Sequence, residues 1–389
     1  MPKEIWILGF VSLLMDISSE MIHSLLPLFM VTTLGTSVFA VGLIEGAAEA
    51  TALIVKIFSG ALSDYLGKRK GLAVLGYAMA AVTKPMFAIA QSSGMVLAAR
   101  LTDRIGKGIR GAPRDALIAD LAPPSMRGAA FGLRQSLDTV GAFVGPLLAT
   151  GLMVLWSSDF RAVFWVAIVP AALSVFLLMV GIREPAASPD VKRQNPIRKE
   201  NLQRLSAAYW WVVALGAVFT LARFSEAFLV LRAQERGIAL AWVPMVMVVM
   251  NIVYSATAYP FGKLSDRMNP IHLLVLGTVV LLLADVVLAL GDQWPWIILG
   301  IGFWGVHLGM TQGLMAALVA QTAPDDLRGT AFGFFNLVSG VAMLISSALA
   351  GLLSDQLGAA STFWTGAAFC GLCLVGLFKM QFIDFKKNS

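Results

Sequence analysis

Ala122–Gly132 reads APPSMRGAAFG, and Ala323–Gly333 reads APDDLRGTAFG: the same segment, 201 positions later in a chain of 389 residues. A second pair keeps nearly that offset. Gly60–Lys70 (GALSDYLGKRK) and Gly262–Pro270 (GKLSDRMNP) share Gly-x-Leu-Ser-Asp and lie 202 positions apart. An offset of half the chain, found twice, marks an internal duplication, and each copy must then contain the same set of structural elements.

Those elements are apolar. The chain is 58% hydrophobic and 13% charged, with a mean hydropathy of +0.79, well outside the range of soluble domains. Runs of about twenty apolar residues, enough to cross a hydrocarbon layer of about 30 Å, recur over residues 5–33, 37–62, 71–91, 94–120, 128–155, 160–182, 207–232, 238–262, 271–291, 295–322, 329–354 and 359–382. Each half supplies six of these twelve spans. The first run passes into Asp16 and Glu20 without a small-residue cleavage site, so it reads as a span and not as a removed leader. The expected organisation is a first bundle over 1–182, a polar linker over 183–206 with Pro185, Pro189 and Pro196, and a second bundle over 207–389. No connecting segment is long enough for a soluble domain.

The net charge of +6 does not point to nucleic acid. With the amino terminus inside, Lys and Arg gather in the cytoplasmic segments, and Arg161, Arg232 and Arg236 stand at the other side. This bias fixes both termini in the cytoplasm. Cys370 and Cys373 fall in the last apolar span with no His or further Cys beside them, so no metal site is expected. No phosphate-binding loop, zinc-protease motif or nucleophile constellation is present, and neither an enzyme nor a bound cofactor is expected.

Gly60-Ala-Leu-Ser-Asp64-Tyr-Leu-Gly67-Lys68-Arg69 resembles the loop signature of the Major Facilitator Superfamily, and it falls between the second and third spans, where that family places it. The second copy keeps Asp266 but ends in Asn269-Pro270. The resemblance covers nearly the whole chain and is to bacterial proton-coupled, efflux-type permeases. It implies an all-α integral membrane protein of twelve transmembrane helices in two six-helix bundles related by a pseudo-two-fold axis. The first, fourth, seventh and tenth spans would line a central cavity. Asp64, Arg127, Asp266 and Arg328 recur at matching places in the two halves and are expected to gate. Gly141-Ala-Phe-Val-Gly145-Pro146 in the fifth span resembles the motif of drug/proton antiporters. Gly-x-x-x-Gly also serves any close helix crossing.

The fourth span carries the chemistry. Arg100, Asp103, Arg104, Lys107, Arg110, Arg114 and Asp115 put seven charges into sixteen residues. At about 100° per residue they occupy roughly 140° of the helix circumference. A charge near the bilayer centre costs about 2.5–3.5 kcal/mol on the lenient insertion scale, so this face must meet water, partner charges or solute. The duplication supplies a control. A shift of 201 turns Arg100, Asp103, Arg104, Lys107 and Arg114 into Ile301, Trp304, Gly305, Leu308 and Met315. The second copy lacks the charges, so the fold alone does not require them. Arg104-x-x-x-Gly108 partly resembles the superfamily's fourth-span motif, whose arginine is linked to proton coupling, with Lys107 and Arg110 departing from it.

Acids answer the stripe. Asp16, Glu20 and His23 share a face of the first span, Glu45, Glu49 and Lys56 a face of the second, and Arg134 and Asp138 are four apart in the fifth. Spans one to five hold eight acids and eight bases, a balance that also fits mutually neutralised structural pairs. Asp16, Glu20, Asp103 and Asp138 are the candidates for proton coupling. Arg100, Arg104 and Lys107, with Arg223, Glu226 and His307 in the second half, are the candidates for solute binding. Phe303, Trp304 and Met310 read as an apolar wall or as packing.

The leading expectation is a secondary transporter working by alternating access, with protons driving export of a small amphipathic or anionic organic solute. Its partners would be that solute, protons and the lipid bilayer, without nucleic acid. The chain is expected in a bacterial inner membrane as a monomer. Two alternatives stand: a proton-coupled importer of a small organic anion, and a non-transporting membrane sensor or lipid-modifying enzyme on the same scaffold.

Overall fold

The computed structural model describes the chain except residues 67–68, 124–125, 184–203, 266–267, 312, 325–326 and 388–389, and leaves undescribed the side chains of 60–66, 265, 329 and 380–387. The described residues form helices α1 (Lys3–His23), α2 (Val38–Leu66), α3 (Arg69–Ala88), α4 (Ser93–Leu121), α5 (Arg127–Leu155), α6 (Phe160–Val166) and α7 (Ile168–Gly181). They continue as α8 (Ala207–Ala222), α9 (Ala227–Glu235), α10 (Met245–Ser265), α11 (Pro270–Leu290), α12 (Trp294–Thr311), α13 (Leu314–Thr322), α14 (Arg328–Leu357) and α15 (Ala360–Lys387). No strand occurs among the described residues.

Local chemistry sets the helix starts. Ser92, Asp159, Ser206 and Asn269 each turn a side-chain oxygen to a backbone N–H of the first turn that follows, which satisfies a donor the helix itself cannot. Both copies of the repeated segment build one corner. Ala122 and Ala323 are extended, at ψ 129° and 139°. The N–H of Met126 then donates to the Pro123 carbonyl (2.8 Å), and that of Leu327 to the Pro324 carbonyl (3.0 Å). Each corner ends one helix and opens the next at an arginine, Arg127 or Arg328.

Among the described residues, eleven stretches are long and apolar enough to cross a membrane. The twelfth expected span is α4. Its 29 residues reach roughly 43 Å, ample for a bilayer of about 30 Å. It falls short in apolarity alone, through its charges. Several spans expected to be continuous are broken: the first at Ser24–Leu25 and the sixth at Ala167, and two more farther on. Arg223–Glu226 separates α8 from α9, and Gly313, at φ +83°, separates α12 from α13. The left-handed backbone at Gly313 is one that only glycine enters without strain.

Two compact units result. Unit 1 comprises Met1–Thr36, Ala47–Asn195 and Ala239–Val248; unit 2 comprises Ser37–Gly46, Pro196–Ile238 and Val249–Ser389. In unit 1, α3 packs along α4 and α1 along α5; in unit 2, α11 packs against α12 and α15. Each unit has its own core, around Leu8, Met15, Tyr77 and Leu117 in the first and Tyr209, Phe219, Leu274 and Leu318 in the second. Each also uses an arginine to close a helix end. Arg161 Nη2 donates to the Ala90 carbonyl just past α3 (2.8 Å). Arg232, almost wholly buried, donates to the carbonyls of Leu288, Ala289 and Gly291 at the end of α11 (3.0, 3.0 and 3.3 Å). Within unit 2 the first turn of α2 is capped from α14, whose Asp355 carboxylate accepts from the N–H groups of Val38 and Phe39 (3.1 and 2.8 Å).

Candidate transport site

Glycines decide which way the charged face of α4 points. A Cβ on Gly106 would stand 3.2 Å from the Ala80 backbone nitrogen, and one on Gly108 would stand 2.7 Å from Val55 Cβ. The small residues therefore seat α4 between α3 and α2, leaving most of the charged arc toward α1 and α2 while Asp103 and Arg110 reach side chains of α3. The Gly-x-x-x-Gly of α5 has a related task. A Cβ on Gly141 would meet Asp16 Cβ at 2.8 Å, and one on Gly145 would meet Glu20 Cβ at 2.7 Å. Two glycines four apart thus face two acids four apart, and α1 lies on α5 with its carboxylates over the gap.

The charges then form two connected layers inside unit 1. In the first, Lys84 of α3 is fully buried and donates to Asp103 Oδ1 (3.0 Å) and Ser19 Oγ (3.1 Å). Asp103 Oδ2 lies 3.8 Å from His23 Nε2 and 3.9 Å from Arg104 Nε. Arg100 Nη1 and Arg104 Nη2 both approach the His23 ring, and whichever ring nitrogen carries no proton accepts from one of them. Glu20 Oε1 stands 3.6 Å from His23 Nδ1. Glu49 of α2 closes this layer, 3.3 Å from Arg104 Nη1 and 4.0 Å from Arg100 Nη2.

The second layer runs through α4, α5 and α3. Arg114 donates to Asp115 (3.2 Å) and Ser12 (3.0 Å), and Ser12 also meets the Tyr77 hydroxyl (3.1 Å). Arg134 donates to Asp115 (3.3 Å) and, through Nε, to Asp138 (3.0 Å). Arg110 stacks over the Tyr77 ring, 4.6 Å from its centroid. Three buried atoms in the two layers lack a hydrogen-bond partner among the described residues: Arg104 Nε, Arg110 Nη1 and Asp138 Oδ1. Buried charged groups are seldom left so, and a bound water or solute is the ordinary remedy.

Lys107 differs from the others. It is exposed although it lies in the middle of α4, and no carboxylate among the described residues comes within salt-bridge distance of it.

The structure therefore gathers Asp16, Glu20, Arg100, Asp103, Arg104, Lys107 and Asp138 within unit 1. Arg223, Glu226 and His307 belong to unit 2. Arg223 ends α8, over the Phe219 ring at 5.9 Å, and Glu226 opens α9. His307 is buried against Phe219, and its Nδ1–H donates to the Gly277 carbonyl (2.8 Å). That bond leaves Nε2 without a partner among the described residues. Trp304 and Met310 are buried in packing; Trp304 joins an aromatic cluster with Phe224, Phe228 and Phe363. A cavity of about 190 Å³ lies beside the Gly313 break, lined by Tyr254, Ala258, Phe261, Gly309, Met310 and Leu314. Of the expected gate residues, Arg127 and Arg328 are exposed at helix starts, and Arg127 Nε donates to the Ala119 carbonyl (3.1 Å). The Asp64 side chain and all of Asp266 lie outside the described residues. No group of three or more metal-ligating side chains occurs among the described residues.

Sequence reasoning gave no role to Lys84, Ser19 or Tyr77. Lys84 was visible as a charge in an apolar span; its pairing with Asp103 was not, because periodicity fixes a face and not a neighbour.

With this geometry, comparison with known proteins is informative. The Major Facilitator Superfamily family model matches residues 8–252 and 213–384. An uncharacterised MFS-type transporter of Methanocaldococcus jannaschii is 31% identical over 360 residues, covering 91% of this chain and 89% of that one. The multidrug resistance protein MdtH of Aeromonas hydrophila is 25% identical, covering 85% and 83%. Among solved structures, a POT family transporter in complex with 5-aminolevulinic acid superposes with a TM-score of 0.82 at 13% identity, covering 100% and 97%. The chain is an all-helical membrane transporter, not an enzyme. It belongs to the Major Facilitator Superfamily.

Proposed function

We propose that this chain is a proton-coupled secondary transporter of a small amphipathic organic solute bearing an anionic group. Two six-helix bundles, 1–182 and 207–389, alternate the access to the site, with 183–206 as their linker. Both termini face the cytoplasm of a bacterial inner membrane, and the working unit is the monomer. The observation that carries the reading is the face of α4. Cations and acids cluster inside unit 1, and the homologous face of α12 is apolar. A concentration of positive charge on one helix face, which the homologous face does without, is a binding feature for negative charge. Asp16, Glu20, Asp103 and Asp138 are the proton carriers in this reading, and Arg100, Arg104 and Lys107 take the anionic group. In unit 2, Arg223, Glu226 and His307, with the small cavity by Gly313, serve the rest of the solute. Asp64, Arg127, Asp266 and Arg328 act as gates.

Similarity to MdtH and the Gly141–Pro146 motif favour export. A second reading, import of an organic anion together with protons, is favoured by the exposed Lys107. The test is flux in proteoliposomes under an imposed pH gradient, screening organic anions and cations. The expected result is gradient-driven movement of amphipathic anions, lowered tenfold or more by Asp16→Asn and by Arg104→Ala. Flux indifferent to the gradient overturns proton coupling.

A further inference from the structure

The seventh span opens between α8 and α9 at a single hydrogen bond. In a continuous helix the Leu221 carbonyl accepts from the N–H of Ser225, four residues on. Here the helix stops at Ala222 and those two groups are parted. Adjacent serines of α14 take one each. Ser346 Oγ donates to the Leu221 carbonyl (2.8 Å), and Ser347 Oγ accepts from the Ser225 N–H (3.2 Å). Ser347 directs its own proton to Met343 Sδ (3.8 Å), which leaves its oxygen free to accept. Both serines are buried. Within the opened stretch Arg223 leaves the helical region, at φ −111° and ψ 80°, and Phe224 is anchored among Phe228, Trp304 and Phe363.

The duplication supplies the other form. A shift of 201 carries Leu221, Ser225, Ser346 and Ser347 onto Glu20, Ser24, Gly145 and Pro146. Glycine and proline offer no side-chain hydrogen bond, and in unit 1 the helical bond is closed: the N–H of Ser24 donates to the Glu20 carbonyl (3.1 Å). Helix α5 lies against that same stretch of α1, since a Cβ on Gly145 would stand 2.8 Å from the Ile17 carbonyl oxygen and 3.2 Å from the Met21 nitrogen. One junction thus has two solutions, open where two hydroxyls face it and closed where none does.

We propose that Ser346 and Ser347 are positioning residues: they hold the seventh span open at Leu221–Ser225, against a continuous form of the same helix, and so fix where Arg223 and Glu226 stand. That the two side chains so placed meet solute rests on the reading above.

The open form makes two hydrogen bonds at the junction where the closed form makes one, so the hydroxyls decide which form is populated. Without them the Leu221 carbonyl and the Ser225 N–H have only each other, because a buried backbone group left unpaired is costly. In an unbroken helix Arg223 and Glu226, three apart, share one face and lie within reach of each other. The open junction places them instead by the non-helical path of Phe224 and Ser225. Arg223 then stands over the Phe219 ring, 5.9 Å from its centroid, and the same ring meets His307 at 5.5 Å between centroids.

The experiment uses purified full-length protein in nanodiscs, on a Cys370→Ala/Cys373→Ala background, with nitroxide labels at Ala214→Cys on α8 and Gln234→Cys on α9, two exposed positions. Pulsed EPR reads the distance between the labels. Ser346→Ala/Ser347→Ala is expected to move the mean distance away from the wild-type value and toward the roughly 30 Å of an unbroken helix over that stretch. Ser346→Ala alone should populate both distances, and Ser346→Thr, which keeps a hydroxyl, should hold the wild-type one. The second readout is flux of decanoate, an amphipathic anion, in proteoliposomes. The double variant is expected to raise its half-saturating concentration about tenfold, with a smaller change in maximal rate. An unshifted distance in the folded double variant, or in Ser346→Ala should the double variant not fold, would overturn the proposal. So would a shifted distance with unchanged half-saturation. No decanoate flux by the wild type, with the distance shifted in the variant, would remove the solute role of Arg223 and leave the two serines as the groups that hold the span open.

Discussion

Gly145 and Glu20 show how closely packing and chemistry are tied at single residues. A methyl group on Gly145 would sit 2.7 Å from Glu20 Cβ and 2.8 Å from the Ile17 carbonyl, so even alanine must push α1 away from α5. Overpacking of this kind costs about 1–3 kcal/mol. Gly145→Ala is expected to lower thermal stability in detergent and to depress flux; retained stability and flux would show that the acids do not need this seat. Lys84 and Asp103 give a sharper case. Removing one partner of a buried pair costs about 3–5 kcal/mol, while replacing both with apolar or neutral groups is far milder. Lys84→Met should therefore destabilise strongly, and adding Asp103→Asn should restore much of the loss. Additive losses would mean that the two side chains do not interact. How far the site was legible follows from these residues. The arc of α4 was readable because a helix repeats every 3.6 residues. The apposition of Gly141 and Gly145 with Asp16 and Glu20 was not, since each motif was plain on its own helix and their meeting is a tertiary fact. The approach of Arg100 and Arg104 to His23 was hidden for the same reason.

Helices α4 and α12 descend from one element and have been put to different uses. Gly108 and its counterpart Gly309 both make close contacts, with Val55 and with the Ala258 backbone, so the packing side is shared. The other side carries arginines in α4 and Trp304, Gly305 and Leu308 in α12. Twelve apolar runs were readable as spans, and among the described residues eleven satisfy length and apolarity. The breaks at Arg223–Glu226 and Gly313 were not readable as breaks, because glycine and arginine also occur within continuous helices. Capping by Arg232 was equally hidden, since its partners lie 56 to 59 positions away. Hydrogen bonds to a charged group are worth about 1.5–3 kcal/mol each. Arg232→Ala is thus expected to lower the melting temperature in detergent markedly, with Arg232→Lys between it and wild type. An unchanged melting temperature would remove the cap from the account.

For the whole chain, the duplication visible in Ala122–Gly132 and Ala323–Gly333 is reproduced as two identical corners. The proposed orientation puts the segment around Arg236 outside and residues 183–206 inside. A periplasmic phosphatase fused after Arg236 should be active, and one fused after Arg204 inactive; the reverse pattern would invert the topology. The central claim is that the charged face of α4 is wet and its counterpart on α12 is dry. Cysteine accessibility tests it directly, because the native Cys370 and Cys373 are buried. With a hydrophilic, membrane-impermeant thiol reagent on inverted and right-side-out vesicles, Lys107→Cys should be modified from at least one side. Leu308→Cys should stay protected from both. Protection of Lys107→Cys in both preparations, or equal modification of the two positions, would contradict the account.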